Sequence, residues 1–155
     1  MKNSFSHLRR ISALAAMIAL PLVPAAFGQN SVSNQEDGVM RVSIEVGDTT
    51  VFAVLDDSPT ARDFVAMLPL DLDVENYGNN EKIAYPPRKL TTEGSGPFGD
   101  EAPGDFAYFA PWGNIIVYYG DCTYWPGLVR LGRIEGSLQP LLEQDNYRVH
   151  IELAE

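Results

Sequence analysis

The side chains best suited to recognising a ligand fall in one run, Tyr118-Tyr119-Gly120-Asp121-Cys122-Thr123-Tyr124-Trp125-Pro126-Gly127. Aromatic rings give large contact area at low entropic cost, so Tyr119, Tyr124 and Trp125 are expected to wall a site for a proline ring or another apolar ligand. Their competing use is as core, covering one end of the fold. Arg133, shortly after the run, could reach a ligand carbonyl, with Trp112 and Glu81 at the rim of the same site. Successive strand residues alternate faces, so Arg130 and Arg133 are expected to point to opposite sides. Glu81 and Glu135 are available as partners for an inward arginine. A structural Arg–Glu pair tying loops together is the simpler use of these charges.

Reactive chemistry has little to work with. The chain has two histidines, His7 and His150, and one cysteine. Ser–His and Cys–His catalysis need an imidazole within hydrogen-bond reach of the nucleophile, and zinc enzymes usually take two or three histidines. Cys122 has no base beside it in sequence, and the neighbouring Asp121 would raise its pKa by repelling the thiolate. Asp71, Asp73 and Glu75 share one face of an expected strand, a flat arrangement that does not converge the six to eight oxygens calcium takes. Asp56 and Asp57 precede a helix start, where carboxylates are favoured electrostatically. Arg88-Lys89 reads as a solvated strand edge. No metal or cofactor is implied, and no carboxylate pair stands out for acid–base work.

The first 28 residues form a unit of their own. Lys2, Arg9 and Arg10 make a basic start, Ile11 to Val23 an apolar run, and Ala26 and Gly28 the small residues before a cut at Gln29. That is the layout of a secretory signal. The run is too short for a spanning helix, which needs about 20 residues. Arg9-Arg10 also suggests twin-arginine export, but Ser12 and Ala13 stand where that signal prefers bulky apolar residues. The protein is therefore expected to be exported, periplasmic or secreted, with no stable membrane anchor after cleavage. Cleavage leaves 8 of the 11 basic residues against all 21 acidic ones, a net charge of −13 over 127 residues. Nucleic acid is a poor partner for such a surface.

Residues 29–38 are polar and small and read as a flexible leader; the domain is expected over 39–155. Val42, Ile44 and Val46 alternate with polar residues, and after Gly47-Asp48 a second strand returns from Thr50 to Leu55. Ser58 as N-cap, Pro59 at the first helical position and Asp63 in the first turn announce a short helix that Pro69 ends. Strands follow at Leu70–Glu75 and Lys82–Tyr85. Residues 91–104, with four glycines and two prolines, form a long loop. Three more strands lie near Phe106–Tyr108, Ile115–Tyr119 and Leu128–Ile134. A helical turn in Ser137–Gln144 precedes the last strand, Tyr147–Leu153. Many short strands with two short helices predict an all-β small barrel or sandwich.

The order of Leu55-Asp56-Asp57-Ser58-Pro59-Thr60-Ala61, Met67-Leu68-Pro69, Glu81-Lys82, Pro103-Gly104-Asp105-Phe106, Ile116-Val117-Tyr118-Tyr119 and Leu131-Gly132-Arg133-Ile134-Glu135 resembles bacterial cyclophilin-like proteins. The resemblance covers roughly residues 39–153. It implies a small closed cyclophilin-like β-barrel of about eight strands with two short helices. Cyclophilins rotate the X–Pro bond using an arginine beside an apolar pocket, without a nucleophile. The Phe-His-Arg run carrying that arginine does not occur here. The expected function is non-covalent binding of a peptide or small ligand at an aromatic-lined barrel mouth. The alternative is a peptidyl-prolyl isomerase of low or unusual activity serving exported proteins.

Overall fold

The computed structural model describes residues 39–154; the expected signal (1–28) and leader (29–38) lie outside the described residues. Eight strands form one closed antiparallel barrel: β1 (Met40–Val46), β2 (Thr49–Leu55), β3 (Leu70–Tyr77), β4 (Glu81–Ala84), β5 (Asp105–Phe109), β6 (Asn114–Tyr118), β7 (Leu128–Glu135) and β8 (Tyr147–Leu153). Around the barrel they run β1-β2-β7-β5-β6-β4-β3-β8 and back to β1. Two short helices, α1 (Pro59–Val65) and α2 (Gln139–Leu142), complete it. The all-β class, the closure and the pair of helices agree with the sequence reading. Among the described residues no helix is long and apolar enough to cross a membrane.

The period-two pattern decides which side chains enter the barrel. Val42, Ile44 and Val46 of β1 meet Val51, Ala53 and Leu55 of β2 inside, with Leu70, Leu72 and Val74 of β3 and Val149 and Ile151 of β8. Their alternating partners Asp71, Asp73 and Glu75 stay outside as an acidic, solvated face. The interior is filled. A cavity of about 30 Å³ remains among Ile44, Val74, Ile115 and Ile151, too small for an organic ligand.

The helices lie at opposite ends, because α1 follows the downward strand β2 and α2 the upward strand β7. At one end Ser58 caps α1, its Oγ accepting from the Ala61 N–H at 3.1 Å, and buried Phe64 packs edge-on against Phe106 at 5.4 Å. Asp63 falls beyond the first turn. It pairs with Arg88 at 2.7 Å and accepts from the Thr91 N–H, and the Arg88 guanidinium holds its carboxyl below the usual carboxylate range. Arg88 is solvated as expected, but it anchors a loop and does not edge a strand. At the other end Leu141, Tyr147 and Lys82 fill the mouth. Burial lowers the Lys82 pKa, while its ammonium donates to the Gln144 carbonyl at 2.5 Å and lies 5.3 Å from the Tyr147 ring.

One departure from regular pairing reorganises the charges. Between β5 and β7, Phe106 faces Gly132 but Ala107 faces Arg130, so Leu131 is an extra, bulged residue. A bulge resets the alternation. Arg130 and Arg133, expected on opposite faces, therefore reach the same carboxylate: Arg130 bonds Asp100 at 2.7 Å and Arg133 bonds it at 3.0 Å. Arg130 also holds Asp56 at 2.9 Å, and Arg133 holds the fully buried Asp105 at 2.7 Å. These arginines tie loops together, as the simpler reading had it, but through aspartates. Glu135 pairs elsewhere, with Arg41 at 2.6 Å.

Candidate functional site

The strand order forces two long connections over the outside of the barrel. The 85–104 segment leaves β4 at one end and enters β5 at the other, with β6 between the two strands. The 119–127 segment likewise runs from β6 to β7 past β5. The wall beneath them cannot be polar, and it is not. Ile83, Ala107, Ile116, Tyr118 and Leu128 form a second apolar cluster, joined by Phe98, Phe109, Cys122 and Tyr124. This explains why β6 (Asn-Ile-Ile-Val-Tyr) shows no polar alternation: Ile115 and Val117 face the interior, Ile116 and Tyr118 the covered outer wall.

The connections leave part of this wall open. There a cavity of about 180 Å³ is lined by Tyr77, Glu81, Phe109, Trp112, Ile116, Tyr118 and Trp125. Tyr77, Trp112 and Trp125 are 45%, 48% and 64% exposed, an unusual outlay of large apolar surface on one spot. The Trp112 indole is held edge-on between two rings, Tyr77 at 5.0 Å and 86° and Phe109 at 5.6 Å and 75°. Perpendicular rings make a box instead of a flat stack.

Gly127 sets the position of Trp125. Its φ is +93°, and a Cβ there would stand 2.7 Å from Pro111. Only glycine lets the 119–127 connection lie so close against the β5–β6 turn that carries Trp112. The Gly127 carbonyl accepts from the Ala110 N–H at 2.9 Å, and the Leu128 N–H donates to the Trp125 carbonyl at 2.9 Å. Trp125 and Trp112 thereby border one cavity from two separate loops.

Glu81 is the charged group of the lining. It sits opposite both Tyr77 on β3 and Tyr118 on β6. Among the described residues it makes no ion pair and no side-chain hydrogen bond, and burial raises its pKa above the usual carboxylate value. Burial, then the charges of Glu81, Cys122 and Asp105, raise the Tyr118 pKa, so its hydroxyl stays protonated as a donor. The Cys122 thiol is pushed up to about 12, by burial first and then by Asp105, Glu101 and Glu81. The direction agrees with an inert thiol, although Asp121 is not the cause.

Of the six residues expected at the site, Glu81, Trp112 and Trp125 come together. The other three are used elsewhere. Tyr119 lies just past the end of β6, its N–H donating to the Asn80 carbonyl at 2.9 Å, and does not line the cavity. Tyr124 packs edge-on against Phe98 at 6.2 Å, as core. Arg133 is held by Asp105 and Asp100 and does not line the cavity. Tyr77, Phe109, Ile116 and Tyr118 were missed. For Tyr77 the available signal was its place next to the turn before Glu81. The cavity lies on the outer wall and not at a barrel mouth. His150 stands away from it, on the outer face of β8, where Asp71 at 3.1 Å raises its pKa. Among the described residues no group of three His, Cys, Asp or Glu could hold a metal ion.

Comparison with known proteins supports the architecture. The hypothetical protein AF2241 of Archaeoglobus fulgidus, known from a solution structure, is similar with a TM-score of 0.57 and 21% sequence identity. The match covers 75% of this chain and 95% of that one, and at this identity it bears on fold alone. No curated protein sequence matches. The family model described as the Cyclophilin-like family matches residues 44–152, nearly all of the barrel, and the chain belongs to that family.

Proposed function

We propose that this is an exported cyclophilin-like barrel that binds a peptide or small ligand non-covalently in the aromatic cavity of its outer wall. The observation that carries the reading is the convergence of three exposed aromatic rings, from three separate segments, on one cavity backed by buried apolar side chains. Export rests on the basic, apolar and small-residue order of residues 1–28.

Prolyl isomerisation is the less favoured chemistry. Rotation about an X–Pro bond must cross a barrier of ~18–20 kcal/mol. Cyclophilins lower it with an arginine, and no arginine lines this cavity. A protease-coupled assay on a short X–Pro peptide is expected to show no rate above background. Intrinsic fluorescence supplies the binding test, because the protein has two tryptophans and both line the cavity. Short peptides and small apolar probes are expected to change that emission saturably. If Trp125→Phe and Trp112→Phe leave binding unchanged for every probe that does bind, the ligand sits elsewhere.

A further inference from the structure

Resting on that reading of the cavity, we propose that its ligand is an organic cation, of the alkylated ammonium type, seated among the rings of Trp112, Trp125, Tyr77, Phe109 and Tyr118 with its charge facing Glu81. A ring face carries negative potential and attracts a cation, tryptophan most strongly. Both tryptophans of the chain border this one cavity, and Trp112 is held with perpendicular neighbours at 5.0 and 5.6 Å. A neutral apolar ligand would need the rings but gives no use to a carboxylate among them.

The state of Glu81 sharpens this. Of the acidic groups near the covered wall, Asp105 and Asp100 have Arg133, and Asp100 also has Arg130, while Glu101 stands beside Cys122 and does not line the cavity. Glu81 has no such partner among the described residues. Its sequence neighbour Lys82 points to the opposite side of β4 and spends its ammonium on the Gln144 carbonyl. Removing a carboxylate from water without a partner is costly, and a bound cation would offset that cost. The positive group of the pair is what the cavity lacks.

The lining also selects among cations. A primary ammonium carries three N–H donors and a guanidinium five, and each needs an acceptor when water is excluded. The cavity offers one carboxylate, with the Tyr118 and Tyr77 hydroxyls as the other side-chain oxygen acceptors. An alkylated ammonium spreads its charge over carbon-bound hydrogens and leaves few donors to satisfy. The negative formal charge of the chain, −10, favours the approach of any such cation.

The test compares choline with its neutral carbon isostere, 3,3-dimethylbutan-1-ol, by calorimetry and tryptophan fluorescence on the full chain at fixed ionic strength. Choline is expected to bind about tenfold or more tightly than the isostere. Glu81→Gln is expected to cut that preference about fivefold or more, the rings alone keeping the remainder, and an unfolding curve shows that the variant is folded. Because burial raises the Glu81 pKa and the cation favours the ionised form, choline affinity rises with pH through the Glu81 titration. That slope is absent in Glu81→Gln. Equal binding of the two probes by the unsubstituted protein, or a preference that Glu81→Gln leaves undiminished, overturns the assignment of a cation facing Glu81 and leaves the aromatic site standing. If neither probe perturbs either tryptophan, the cation assignment falls. The aromatic site falls with it only if the peptide and apolar probes are also silent.

Discussion

Gly132→Ala is expected to destabilise the barrel by about 3 kcal/mol or more, a large share of the roughly 5–15 kcal/mol that holds an ordinary domain folded. A Cβ on Gly132 would lie 2.0 Å from the Val54 carbonyl oxygen and 2.7 Å from the Leu55 Cα. Both are backbone atoms of β2, where Leu55 is the register partner of Gly132, so no side chain can move aside. Relief requires opening the β2–β7 seam beside the Leu131 bulge. That seam also positions Arg130 and Arg133, so loss there releases Asp56, Asp100 and the buried Asp105 together. Urea or thermal unfolding measures the effect. Gly96→Ala is the control, since nothing lies within 4 Å of its Cβ position, and it should change stability by less than about 0.5 kcal/mol. A Gly132→Ala protein as stable as this control would show that the seam is looser than described.

Trp112→Ala is expected to weaken any ligand of the outer-wall cavity by about thirtyfold, or about 2 kcal/mol, with much less effect on folding. The asymmetry follows from its position. Half of the indole is exposed, so truncation opens little of the core, yet the ring is a wall of the cavity and the contact shared by Tyr77 and Phe109. Calorimetric titration and an unfolding curve on the same variant separate the two quantities. Tyr124→Phe provides the contrast, since Tyr124 packs against Phe98 outside the cavity and its replacement keeps that ring. Its ligand affinity should match the unsubstituted protein. If Trp112→Ala instead loses stability and keeps its affinity, the indole is core.

The residues legible in the sequence were those whose faces differ. Asp71, Asp73 and Glu75 against Leu70, Leu72 and Val74 announce both the strand and its inner side, and Ser58-Pro59 marks the start of α1. The candidate site lies where that contrast vanishes. In β6 both faces are apolar because connections cover the outer wall, so alternation could not choose Tyr118 over Tyr119. The Leu131 bulge is invisible to a period-two reading, which put Arg130 and Arg133 on opposite sides and freed one for a ligand. Trp112, Trp125 and Glu81 were recoverable because exposed tryptophans in turns and a strand-start carboxylate stand out by type. What joins them is the order of strands around the barrel. That order depends on pairing of β4 with β6 and of β5 with β7, strands far apart in sequence, which no local pattern records.

The most direct measurement follows the two tryptophan indole N–H signals by nuclear magnetic resonance during titration with choline, with 3,3-dimethylbutan-1-ol and with a short X–Pro peptide. With a probe that binds, both indole signals are predicted to move along one saturation curve together with the amides of Tyr77, Glu81 and Tyr118, while those of Ile44, Val149 and Ile151, lining the filled interior, stay in place. Probe binding that shifts the interior amides and leaves both indoles unmoved would contradict a site on the outer wall.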